Sequence, residues 1–129
     1  MKVVDSFLPK AYEDYLEDMF LSASFPWYLN ARTVDDDTFK TKNTVDSPQF
    51  THTFVRGGVP SSDYFPSISV LLHHIMLTQN IRTDNPRKIK ANLNNVNPKA
   101  SLDSHYIVHR DVLDANKGDI ITCIYYIRS

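Results

Sequence analysis

The residues of this sequence best suited to chemistry are His109 and Asp111, which flank Arg110. On an extended strand, residues at i and i+2 project from the same face with α-carbons about 6.6 Å apart, so both side chains reach one ion. A neutral imidazole and a carboxylate are two parts of the two-histidine, one-carboxylate facial triad, the donor set that leaves positions open on iron(II). The third protein ligand must come from elsewhere in the chain. With five histidines and thirteen aspartates in 129 residues, a His-x-Asp spacing arises by chance about half the time, so the surrounding pattern has to carry the assignment. Two rival readings use His105, which shares a strand face with His109. One is a structural or salt-bridged pair. The other is a zinc pair at i, i+4 on a helix, which Tyr106, Ile107 and Val108 disfavour because they suit extended structure. His73 and His74 are adjacent on a helical pattern and point about 100 degrees apart, so they do not share a metal and read as surface or helix-end residues. The run Asp35-Asp36-Asp37 lacks the glycine and spaced ligands of a calcium loop and reads as a solvated loop.

The elements that must position these residues follow from periodicity. Val3 and Val4 suggest a short strand, and Pro9 fits the first turn of a helix in which Tyr12, Tyr15, Leu16, Met19 and Phe20 form an apolar stripe. Glu13, Asp14, Glu17 and Asp18 cover the opposite side. Phe25 to Leu29 reads as extended, since the residue before Pro26 avoids the helical region and aromatic residues suit a sheet. A polar loop then runs from Asn30 to Pro48. Gln49 to Val55 alternates, with Phe50, His52 and Phe54 on one face, and ends at the turn signal Gly57-Gly58. Ser62 or Asp63 is expected to cap a second helix, with Pro66 near its start and Phe65, Ile68, Leu71, Leu72, Ile75 and Met76 on its buried side. Arg87 to Asn94 alternates Ile89, Ala91 and Leu93 against a polar face of Lys88, Lys90, Asn92 and Asn94. That polar face is either wet or the lining of a cavity for an anionic ligand. Two more strands are expected, about Ser104 to Val112 and Asp119 to Ile127, separated by a turn-rich stretch from Asp114 to Gly118. Two early helices among several strands indicate an α+β domain around an antiparallel sheet, a single domain over residues 1–129.

Composition limits the partners. Fourteen basic and fifteen acidic residues nearly cancel, which argues against an electrostatic grip on nucleic acid or an anionic membrane. The single cysteine, Cys123, excludes an intrachain disulfide, and no apolar run has the length of a membrane span or secretory signal. The expected location is a cytoplasm, the host's if the gene is viral.

A succession of segments resembles a group of iron(II)- and 2-oxoglutarate-dependent oxygenases of marine phages, related to the prolyl 4-hydroxylases. The segments are Val4-Asp5-Ser6-Phe7-Leu8-Pro9, Phe25-Pro26-Trp27-Tyr28, Phe50-Thr51-His52, Ile89-Lys90-Ala91-Asn92-Leu93, His109-Arg110-Asp111 and Ile124-Tyr125-Tyr126-Ile127. The resemblance implies a double-stranded β-helix, a jelly roll of the cupin-like kind, with the N-terminal helices packed on its sheet. It implies Fe(II) and 2-oxoglutarate as cofactors, His109 and Asp111 as the first two iron ligands, and Asn92 and Tyr126 as 2-oxoglutarate contacts. Family members continue into strands that bring a distal histidine and a basic residue for the far carboxylate of 2-oxoglutarate. No histidine follows Asp111 here, and the later cations are Lys117 and Arg128. The expectation is therefore an incomplete β-helix, a truncated oxygenase-like domain without turnover. The alternative is a non-catalytic jelly-roll binding or assembly module. Because Asp119 to Ile127 is apolar on both faces, a homodimer through this C-terminal strand is also expected.

Overall fold

The computed structural model describes residues 2–31, 44–45, 48–82, 86–94, 105–106 and 121–127. The first helix, α1 (Lys10–Leu21), starts at Pro9, whose φ of −57° already suits a helix and whose carbonyl accepts the N–H groups of Tyr12 and Glu13. Lys10 closes the first turn with ion pairs to Glu13 and Asp14. The expected stripe is the buried side: Leu16 and Phe20 are buried, while Tyr15 at its margin is about half exposed.

Strand β1 (Tyr28–Asn30) realises the extended reading of the aromatic segment. Strand β2 (Thr44–Val45) falls inside what reads as loop. Strand β3 (Gln49–Arg56) matches the alternating run, with His52 and Phe54 buried as expected. Gly57 and Gly58 have φ of 58° and 82° and join β3 to β4 (Val59–Pro60) by a two-residue turn that needs positive φ at both positions. Helix α2 (Phe65–Gln79) ends at Asn80 in the left-handed region, φ 52°. Strand β5 (Lys88–Asn94) and the short β6 (His105–Tyr106) complete the described elements.

The sheet has four strands: β3 pairs with β1, β4 and β5, and its registered pairings with β1 and β4 are antiparallel. A separate pair joins β2 and β6 in parallel, Thr44 opposite His105 and Val45 opposite Tyr106. Among the described residues the chain is thus α+β, with two helices and an antiparallel sheet, as the order of elements implies. It divides into two compact units, one of Met1–Pro26, His52–Ala91 and Tyr125–Ser129, the other of Trp27–Thr51 and Asn92–Ile124. The first contains the apolar core: Leu8, Leu16, Phe20, Phe25, Phe54, Val55 and Ile68. Here α1 packs on β3, the Phe20 ring meeting Phe54 edge-on at 6.2 Å.

Three expectations are corrected. Val3 and Val4 form no strand and are exposed. Residues 121–127 form no strand either, and Ile121, Ile124 and Tyr126 are 62 to 76% exposed. In both places apolar β-branched residues supply propensity, but a strand also needs a ladder partner, and the described residues provide none. On α2 only Ile68 is buried, whereas Phe65, Leu71, Leu72, Ile75 and Met76 are partly exposed. The expected strand from Ser104 to Val112 is described only as β6, and the turn from Asp114 to Gly118 lies outside the described residues. No helix among the described residues is long and apolar enough to cross a membrane.

Candidate functional site

His109 and Asp111 lie outside the described residues. Asn92 is on β5 in the second unit and its side chain is exposed, which agrees with the wet reading of the polar face. Tyr126 belongs to the first unit and is 76% exposed, in a segment that forms no strand. Among the described residues no group of three or more histidine, cysteine or carboxylate side chains is placed to hold a metal.

The structure instead brings together a buried polar joint in the first unit. His52 is 5% exposed and sits among the rings of Phe25, Phe54 and Tyr64, with centroids at 4.7, 4.7 and 5.9 Å. Strand alternation turns it inward beside Phe54, so a polar ring enters an apolar core and both nitrogens need partners. Its Nδ1 lies 2.8 Å from the Pro26 carbonyl oxygen, which only accepts, so Nδ1 carries the proton. Nε2 is then the acceptor, 2.7 Å from the Ser62 hydroxyl. Ser62 Oγ in turn accepts the Tyr64 N–H at 3.1 Å.

This use of Ser62 displaces the expected cap. The N-cap of α2 is Tyr64, which makes no side-chain capping bond. Ser62 ties the approach to α2 to β3 through His52, and Pro26 ties the chain leading to β1 to the same ring. An imidazole acceptor beside a serine hydroxyl, with its other nitrogen held by a carbonyl, is also how a nucleophile is activated. Here the ring is enclosed on three sides by aromatic side chains, so the arrangement is a packing joint. The signal was in the sequence: a histidine on the same strand face as two phenylalanines has to find two hydrogen-bond partners nearby.

Beside the joint, α1 and the start of α2 border a cleft of about 520 Å³ lined by Tyr15, Asp18, Met19, Ser22, Ser24, Asp63, Tyr64 and Ser67. Its polar groups are two carboxylates and several hydroxyls. Tyr12 and Tyr15 stack at 6.1 Å and both reach Ser67: the Tyr12 hydroxyl donates to its carbonyl, and Tyr15 shares a 2.6 Å bond with its hydroxyl. The Tyr12 oxygen also accepts the Leu71 N–H at 3.1 Å. Burial raises the Tyr12 pKa above the ordinary tyrosine value, against the opposing pull of the Leu71 N–H.

The two remaining described histidine side chains outside the joint are used structurally. His74 Nε2 donates to the Phe7 carbonyl at 2.9 Å with the Phe7 ring edge-on to it, and His73 Nδ1 donates to the Ser69 carbonyl one turn earlier. Compared with protein-family models, with curated proteins and with solved structures, the chain matches none of them.

Proposed function

We propose that this chain is a non-haem oxygenase-like jelly-roll domain that binds iron(II) and 2-oxoglutarate. What supports the reading is where its sequence segments fall: Phe25 to Tyr28 lead into β1, Phe50 to His52 lie on β3, and Ile89 to Leu93 lie on β5. These three strands belong to one sheet, with β3 paired to both others. In this proposal His109, as a neutral imidazole, and Asp111, as a carboxylate, hold the metal. Asn92 and Tyr126 are the side chains that the resemblance assigns to 2-oxoglutarate. When bound, the iron and its cosubstrate supply the oxidising chemistry; the chain's own side chains bind, orient and balance charge. A cytoplasmic location, the host's if the gene is viral, belongs to the same proposal, as does the absence of a membrane or nucleic-acid partner.

The experiment is an anaerobic titration with iron(II) and 2-oxoglutarate. A visible metal-to-ligand absorption band that disappears in His109→Ala and Asp111→Ala is the expected result. The exposure of Asn92 and Tyr126 favours a second reading, a non-catalytic jelly-roll module that binds or assembles with another protein. On that reading the folded chain gives no band, and the two substitutions change nothing.

A further inference from the structure

The chain before α1 runs along α2 in the opposite direction. Lys2 Nζ donates to Gln79 Oε1 at 2.7 Å, His74 Nε2 donates to the Phe7 carbonyl at 2.9 Å with the two rings edge-on at 4.8 Å, and Tyr12 then reaches Ser67 and Leu71 from α1 itself. The anchoring is uneven. Leu8 is 8% exposed and belongs to the core, whereas Val3 and Val4 are exposed. Among the described residues Val3, Val4, Asp5 and Ser6 make no hydrogen bond, ion pair or ring contact. The segment also has spare length. Gln79 lies about 7.5 Å of helix rise beyond His74, while the stretch from Lys2 to Phe7 spans up to about 17 Å when extended. The excess is taken up in a bend at Asp5 and Ser6, where Ser6 has φ 50°, a left-handed conformation that an L side chain adopts only at a cost.

We infer that residues 2–7 are a strap hinged at Ser6, which lifts from α2 and settles back on it while Leu8 and α1 stay in place, and that its position decides whether the His74 ring is covered. When the strap is down, the Phe7 carbonyl occupies the His74 Nε2–H and the Phe7 ring lies against the imidazole. When it lifts, it gives up these two contacts and the exposed bond at Lys2, but Ser6 leaves the left-handed region. One solvated hydrogen bond and one ring contact are set against backbone strain, so the two positions lie close in free energy. A hinge is a short stretch that absorbs a large change in φ and ψ. Ser6 is placed to be one, between an untied stretch and a buried anchor. Because Leu8 lies beyond the hinge, lifting the strap uncovers no core residue and proceeds without unfolding the first unit.

Proton–nitrogen NMR of the histidine rings in the full chain tests the inference, since the His74 ring signals report whether Nε2–H is held by the Phe7 carbonyl. Ser6→Gly removes the strain at positive φ and should raise the docked population. Ser6→Val places a β-branched side chain there and should lower the ratio of docked to lifted strap by roughly fivefold or more. In both variants the Leu16 and Phe54 amides should exchange with solvent within about twofold of wild type, because the core does not take part. A His74 ring that responds to neither substitution overturns the inference. So does a Ser6→Val chain in which Leu16 and Phe54 exchange faster in step with the release of His74, which would make residues 2–7 an inseparable part of the core. Ser6→Gly, which the fold accepts without strain, keeps the test decisive if Ser6→Val fails to fold.

Discussion

Strand β3 and residues 121–127 are comparable in composition and opposite in fate. β3 carries Phe50, Phe54 and Val55 among polar residues and pairs with three other strands, and Phe54 and Val55 are 1% exposed. The later segment holds Ile121, Ile124, Tyr125, Tyr126 and Ile127, has no ladder partner among the described residues, and leaves most of these side chains in solvent. The Tyr125 hydroxyl lies 3.3 Å from Glu13 Oε1 on α1. An apolar run therefore states a need for cover. Whether the need is met depends on what the rest of the chain brings to it.

Four measurements sharpen or break this contrast. Phe54→Ala should cost about 4 kcal/mol in urea unfolding, because a ring packed against Phe20, Phe25 and His52 leaves a cavity. His52→Phe keeps most of the ring volume but removes the donor to the Pro26 carbonyl and the acceptor for the Ser62 hydroxyl, and should cost about 2 kcal/mol. A neutral outcome would show that β3 is held by apolar packing alone. Tyr125→Phe should cost about 0.5 kcal/mol, the loss of one partly solvated hydrogen bond. Ile124→Ser should stay within about 0.5 kcal/mol of wild type. A larger loss there would mean that the segment is covered after all.

Tyr125 also gives a test in pH. Partial burial, then the Glu13 carboxylate, raise its phenol above the ordinary tyrosine value, since both disfavour the phenolate. A raised folded-state pKa means that the associated stability is fully present below the unfolded value and is lost as pH rises through the folded one. An alkaline absorbance titration should show Tyr125 ionising late, and Glu13→Gln should move it back toward the ordinary value.

Local signals made part of this legible in the sequence. The stripe of α1, the alternation of β3 and β5 and the paired glycines before β4 are all decided by neighbours a few residues away. Strand β2 was not, because it has two residues and is paired with a partner about sixty residues distant. Ser62 reads as a helix cap because its type and position fit one. Only the fold shows that His52 competes for the same hydroxyl. For the candidate site the sequence offers His109 and Asp111 by type and spacing, while the exposure of Asn92 and Tyr126 depends on pairing that no local pattern encodes.

The Tyr12 hydroxyl has a consequence for how the first unit opens. It bonds both the Ser67 carbonyl and the Leu71 N–H, the two groups that an α-helix joins across one turn. A water molecule in that position would come and go freely. This oxygen is carried by α1 and leaves only when that helix moves. Exchange of the Leu71 amide with solvent should therefore report the parting of two helices rather than the fraying of one, making α1 and the first turns of α2 a single cooperative unit of opening.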